Sequence, residues 1–169
     1  MKRSIFFISA FLFLLSACGV GGIDKHFQEL LTDREGLFRG FNLGDSYDAI
    51  LNNEDANKRT FIDSTTQRYI INYSESESYQ INYFFESDLL KEIHVLAFLS
   101  SPEEAETLYT LFADFYSKML GNPVEEKGFR VFYGPDGISI ELYDESEIYN
   151  SGVLRLWIYK QGPAHPPAL

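Results

Sequence analysis

The sequence predicts an α+β fold in which two αβββ pseudo-repeats form one antiparallel sheet with the helices packed on one face. Three observations lead there. In residues 79–85, Tyr79, Ile81, Tyr83 and Phe85 alternate with Gln80 and Asn82, the period-two pattern of a strand with one buried face. Residues 101–121 carry the punctuation of a helix: Ser101 as N-cap, Pro102 at the first helical position, Glu104 completing a capping box, and Gly121 with Pro123 at the end. The elements then follow as helix, three strands, helix, three strands, so that residues 41–98 and 101–160 match in pattern, though without clear residue identity. Each unit would leave an apolar sheet face that its own helix covers only in part. Joining the two edge to edge gives one larger sheet under two helices.

Taken in order, the chain opens with Lys2 and Arg3, an apolar block from Ile5 to Leu15, and then Leu15-Ser16-Ala17-Cys18. A basic start, a short greasy core and small residues before a cleavage point describe a secretory signal peptide over residues 1–17. The apolar block is shorter than the roughly 20 residues that a membrane span needs. With a cysteine at that boundary, the leader resembles a bacterial lipoprotein signal with its lipobox. The resemblance implies cleavage before Cys18, a diacylglyceryl group on its sulfur and usually an acyl group on its freed amine. It also implies a cell-envelope location on the periplasmic side. Since Asp after the cysteine is the inner-membrane retention signal where such a rule operates, Gly19 favours the outer membrane. Cys18 is the only cysteine, so neither a disulfide framework nor a thiolate metal site is available. Each buried methylene adds about 0.8 kcal/mol, and two or three acyl chains would hold the chain to a bilayer durably.

Residues 18–22 read as a lipidated, glycine-rich tether, and residues 23–160 as a single domain. Ile23, Phe27, Leu30 and Leu31 lie at helical spacing behind Asp24 as a cap; this stripe would lie on the domain or on the membrane. Residues 32–44, with Gly36, Gly40 and Gly44, should be irregular and pinned by Leu37, Phe38, Phe41 and Leu43. Asp45 would cap a short helix to about Asn52 with Tyr47, Ile50 and Leu51 as its apolar contacts, and residues 52–63 should be mostly loop. Strands are expected over 67–73, 79–85 and 89–98, with 74–78 as a hairpin connection. The long helix presents Ala105, Leu108, Phe112, Phe115 and Met119 to the core, with Leu111 and Leu120 beside them. Strands over 126–133, 138–143 and 153–160 follow, the first two joined by Gly134-Pro135-Asp136-Gly137. The proline-rich residues 161–169 are expected to be disordered.

Charge excludes one class of partner. The chain holds 14 Lys+Arg against 25 Asp+Glu, and loss of Lys2 and Arg3 with the leader leaves a net charge of −13. Such an acidic domain is repelled by phosphate backbones and anionic lipid surfaces, which argues against nucleic acid. Lipid, not charge, would hold it to the membrane.

The decapeptide Phe41-Asn42-Leu43-Gly44-Asp45-Ser46-Tyr47-Asp48-Ala49-Ile50 resembles the glycine-capped short helix that enters a meander of strands in the small SmpA/OmlA-type lipoproteins and in the related two-repeat fold of β-lactamase-inhibitor proteins. Over residues 41–160 the resemblance is one of pattern, and Gly121-Asn122-Pro123 fits the family's Gly-Pro after the second helix. It implies protein binding in the envelope or as an inhibitor, without catalysis.

Little in the chain suggests chemistry. His26 lies near the tether and His165 in the tail, so neither has a preorganised setting, and His94 reads as a strand histidine beside Glu92 rather than a general base. The carboxylates Glu54 and Asp55, Glu75 and Glu77, Glu125 and Glu126, and Asp144, Glu145 and Glu147 match no calcium loop and read as solvated loop charge. No pair is spaced in a way that names a glycosidase. We therefore expect no enzyme, no metal and no cofactor besides the lipid on Cys18. If Phe129, Val131, Tyr133, Ile138, Ile140, Leu142, Leu154, Leu156 and Ile158 face the helices, alternation turns Arg130, Phe132, Glu141, Tyr143, Arg155, Trp157 and Tyr159 outward. Aromatics mixed with arginine favour binding hot spots. This second face is either a surface for an envelope protein partner, a small-ligand or glycan-binding surface, or a second small core covered by the N-terminal helix or a loop.

Overall fold

The computed structural model describes residues 25–32 and 35–161. The leader, Cys18, the tether and residues 162–169 lie outside them, and so do the expectations that fall there. The described chain is α+β, with an eight-stranded antiparallel sheet and four α-helices. In chain order these are α1 (Lys25–Leu30), α2 (Tyr47–Asn53), β1 (Arg59–Ile62), β2 (Thr66–Asn72), β3 (Ser78–Glu86), β4 (Leu89–Leu99), α3 (Pro102–Leu120), β5 (Val124–Glu126), β6 (Phe129–Tyr133), β7 (Ile138–Asp144), α4 (Ser146–Tyr149) and β8 (Gly152–Lys160). Across the sheet the order is β1-β2-β3-β4-β8-β7-β6-β5. Two four-strand meanders therefore meet where β4 pairs with β8, from Glu92↔Tyr159 to Leu99↔Gly152.

Two strands lie where the sequence suggested none. β1 occupies the end of the polar stretch 52–63, drawn into the sheet by pairing with β2. The single strand expected over 126–133 is a hairpin instead, with β5 folding onto β6 through Lys127 and Gly128, both at positive φ. The cap of α2 is Ser46, whose hydroxyl accepts from the Ala49 amide, while Asp45 accepts from the Asn42 amide one turn earlier.

α3 begins with the N-cap and proline that its sequence predicts, while the Glu104 carboxylate, expected to complete a capping box, accepts from Ser100 Oγ. Ser101 Oγ accepts from the Glu104 amide, Pro102 opens the first turn, and Gly121 ends the helix at φ +94°. Its buried stripe runs through Ala105, Leu108, Phe112, Ala113 and Tyr116, while Met119 is 42% exposed. The stripe rotates toward Tyr116 because that ring meets Phe132 and its hydroxyl donates to the Leu37 carbonyl. Phe115 turns aside to the edge of α1, against Phe27. The described part of the N-terminal stripe lies on the domain: Phe27 packs edge-on to Phe112 and Leu30 is fully buried. Leu37, Phe38 and Phe41 pin the irregular segment before α2, whose Ile50 is also in the core.

From the sheet, the core takes Tyr69, Ile71, Tyr79, Ile81, Tyr83, Ile93, Val95, Ala97, Leu154, Leu156 and Ile158, alternate residues of four neighbouring strands. Gly152 opens β8 where a Cβ would stand 2.2 Å from the Ser101 carbonyl oxygen, so only glycine lets β8 approach the start of α3.

One phase assignment is corrected. Phe132 and Arg130 lie on the helix side of the sheet, not on the second face. Phe132 pairs with core Ile140 and is fully buried against Tyr116, and the Arg130 guanidinium sits 4.9 Å from the Tyr109 ring centroid on α3. The run Phe129-Arg130-Val131-Phe132-Tyr133 has apolar residues in both phases, so alternation could not choose, and the pairing with β7, which sets Phe132 opposite core Ile140, decided it. Phe132→Ala should therefore destabilise the domain by about 3–5 kcal/mol, whereas Tyr133→Ala, at a 43% exposed residue, should shift a denaturation midpoint little. Equal effects would contradict this register.

Candidate functional site

The sheet face opposite α3 is built by register. One row crosses the sheet through Arg68, Asn82, His94, Trp157, Glu141 and Val131, each opposite the next. A second row passes through Phe84, Glu92, Tyr159 and Ser139. A third holds Gln80, Leu96, Arg155 and Tyr143. Of the residues expected there, Tyr143, Arg155, Trp157 and Tyr159 do share this face, together with Glu141. Arg130 and Phe132 do not.

Trp157 is the centre of an aromatic group. Its ring lies 4.8 Å from His94 and 4.8 Å from Tyr159, and His94 in turn lies 4.8 Å from Phe84. Such edge-on and tilted contacts suit ring quadrupoles and hold the side chains in place. Two carboxylates orient the group. Glu92 Oε2 accepts from Trp157 Nε1 at 3.4 Å and lies 3.1 Å from His94 Nε2. Glu141 accepts from the Tyr159 hydroxyl at 2.6 Å. Burial first, and then that hydrogen bond, push the Tyr159 hydroxyl well above its ordinary value, so it remains a donor. Phe129 packs at a tilt against Tyr143, 4.6 Å between ring centroids, further along. The arrangement sets half-buried aromatic rings, with Tyr159 only 7% exposed, beside fixed acceptors and donors.

Arg155 has a structural duty as well. Its Nη2 lies 2.7 Å from Oε1 of Glu145, a carboxylate 5% exposed. The sequence reads Glu145, Glu54 and Glu77 as solvated loop charge, yet all three are buried. Each has a basic partner. The Arg39 guanidinium grips Glu54 with two hydrogen bonds, of 2.7 and 3.1 Å, and the Tyr83 hydroxyl also donates to that carboxylate. These pairs join residues that are distant in the chain, so spacing in the sequence could not reveal them.

A second polar cluster lies at the start of the domain. His26 is fully buried, which corrects its reading as a residue without a preorganised setting. Its Nδ1 is hydrogen-bonded to the Tyr79 hydroxyl, its Nε2 lies 3.4 Å from Glu77 Oε1, and its ring lies 4.9 Å from that of Tyr73. Glu77 also accepts from Ser74 at 2.9 Å and from Ser100 at 3.2 Å, and Lys25 Nζ stands 3.9 Å away. The only sequence signal was position: His26 falls on the inner side of the same stripe as Leu30.

Among the described residues no helix is long and apolar enough to cross a membrane. No family model, curated protein or solved structure matches the chain.

Burial alone would push the Glu77 carboxyl up, but the Ser74 hydrogen bond and the neighbouring His26 and Lys25 outweigh it and hold the group below its ordinary value of 4.5. A carboxyl lowered in the folded state contributes stability that is present above the unfolded value and is lost as pH falls through the folded one. Glu77→Gln should thus be less stable than the parent at neutral pH, with the difference shrinking on acidification below about pH 4.5. Urea titrations across pH 3–7 would measure it; a difference constant with pH would show that Glu77 acts by shape alone.

Proposed function

We propose that the protein is a lipid-anchored cell-envelope protein that binds another protein through the sheet face around Trp157, as an assembly or accessory subunit without catalytic activity. The observation that carries this reading is the sidedness of the sheet. α1, α2 and α3 pack on one side, and the opposite side carries Trp157, Tyr159, His94, Phe84 and Tyr143 with Arg155. Tryptophan, tyrosine and arginine dominate binding hot spots because they desolvate large areas while fixing direction.

The lipobox Leu15-Ser16-Ala17-Cys18 supports attachment of lipid at Cys18, with Gly19 favouring the outer membrane and the domain on the periplasmic side. The decapeptide 41–50 supports kinship with SmpA/OmlA-type lipoproteins. We also read the domain as two αβββ pseudo-repeats, each extended by a short outer strand. The mirrored strand order about the β4–β8 pair supports this. The acidic net charge supports a partner other than nucleic acid.

A second reading, a glycan or small-ligand site on the same face, is favoured by the pairing of the Trp157 and Tyr159 rings with Glu92 and Glu141, since flat rings beside carboxylate acceptors suit sugars. Trp157 fluorescence should report it: titration with peptidoglycan fragments changes the emission under this reading and leaves it unchanged under the first.

The main test is crosslinking capture from native membranes. The parent should yield a stoichiometric protein partner, and the double variant Trp157→Ala, Tyr143→Ala should lose it while keeping its circular dichroism. Arg155 is spared because removing it would strand the buried Glu145, at a cost of several kcal/mol in folding. Undiminished capture by the variant would remove this face from consideration.

The anchor is tested separately. Cys18→Ser should abolish palmitate labelling and release the protein from the membrane fraction; continued labelling would place the lipid elsewhere.

A further inference from the structure

We propose that His26, Glu77 and Glu104 form a binding site for a divalent transition-metal ion of the zinc type. Three separate elements bring the residues together: His26 comes from α1, Glu77 from the β2–β3 connection and Glu104 from the first turn of α3. One ligand atom from each lies within 4.8 Å of the others. A four-coordinate ion bound at about 2.0–2.2 Å would hold its ligands roughly 3.3–3.6 Å apart. Closing that gap would take side-chain rotation, chiefly of the less buried Glu104.

The imidazole is set for the role. The hydrogen bond between Nδ1 and the Tyr79 hydroxyl fixes the ring and directs Nε2 toward Glu77 Oε1 at 3.4 Å. A metal-binding histidine has its other nitrogen held in this way. The donor set, one imidazole and two carboxylates, suits zinc and its neighbours rather than a soft ion.

Charge gives an independent reason. Ser100 Oγ lies 3.2 Å from Glu77 and 2.5 Å from Glu104, so two carboxylates converge on one hydroxyl. A hydroxyl has a single proton and can donate to only one of them at a time. A divalent ion in the same space would neutralise both. A neighbouring cation, Lys25 Nζ, is on the other oxygen of Glu77, at 3.9 Å, and its side chain is 53% exposed, so it can withdraw into solvent when an ion enters. A bound ion would tie α1, the first described element after the tether, to the body of the domain. This inference does not depend on the function of the Trp157 face.

The experiment is calorimetric titration of the chelator-treated, full-length protein with ZnCl2, repeated with CoCl2 while recording the visible spectrum. One Zn²⁺ per chain is expected, with a cobalt absorption band that disappears in His26→Gln. Losing a direct ligand should weaken binding by more than the roughly 10–100-fold that follows loss of a supporting partner. Because His26 is buried and its variant could unfold, Glu104→Gln at the partly exposed start of α3 is the decisive variant, its fold checked by circular dichroism. A His94→Gln control, altering the His94–Glu92 pair on the opposite face, should bind as the parent does. Absence of stoichiometric Zn²⁺ uptake by the parent, or unchanged affinity in folded Glu104→Gln, would overturn the proposal.

Discussion

The pairing of β4 with β8 is the constraint on which the rest of the structure depends. These strands are the innermost edges of two meanders, and their register, Val95 opposite Leu156 and His94 opposite Trp157, decides at once which side of both meanders faces α3. Side chains alternate across a strand, so a slip of one residue would exchange Leu154, Leu156 and Ile158 for Arg155, Trp157 and Tyr159 under the helix. Burying an arginine there without a partner would cost more than the apolar contacts return. The register is therefore strongly specified, and the aromatic composition of the opposite face is its direct consequence.

The buried charges follow a second constraint. An acidic chain must either leave its carboxylates in water or supply each buried one with a cation or with donors. Glu54 is held by Arg39 and Tyr83, Glu145 by Arg155, and Glu77 by Ser74, Ser100, Lys25 and His26. Buried pairs of this kind add little net stability compared with apolar residues of the same shape, but breaking one partner is costly because the other remains buried and charged. Each pair here ties an irregular segment or a turn to the sheet, so they fix where those segments lie. Glu77 and Glu54 secure the two ends of the layer that covers the first meander.

Those two constraints place the candidate surfaces on opposite sides of the sheet. Trp157, Tyr159 and their carboxylates occupy rows that come from the seam itself, on strands held on both edges. The His26 cluster lies instead where α1, the β2–β3 connection and α3 converge, an arrangement that exists only when the helix layer is docked. The recognition proposed for the first surface would draw on a rigid platform. Events at the second would act on how α1 is held.

Local information was sufficient for the elements whose signals are local. The N-cap and proline of α3, the alternation in β3, β7 and β8, and the glycine-rich turns were legible because helix ends and strand faces are decided by neighbours within a few residues. The placement of Tyr143, Arg155, Trp157 and Tyr159 on one face was legible for the same reason. What the chain could not reveal was decided by contacts between distant residues. β1 is a strand only because β2 offers an edge, and Phe132 turned inward because Tyr116 leaves room for a ring there. The α3 stripe rotated to meet Leu37, 79 positions earlier. His26, Glu77 and Glu104 lie apart in the sequence with no shared period, and only folding brings a histidine and two carboxylates within 4.8 Å. Periodicity reads which side a residue faces; it cannot read what stands opposite, because that depends on where the whole chain has been folded.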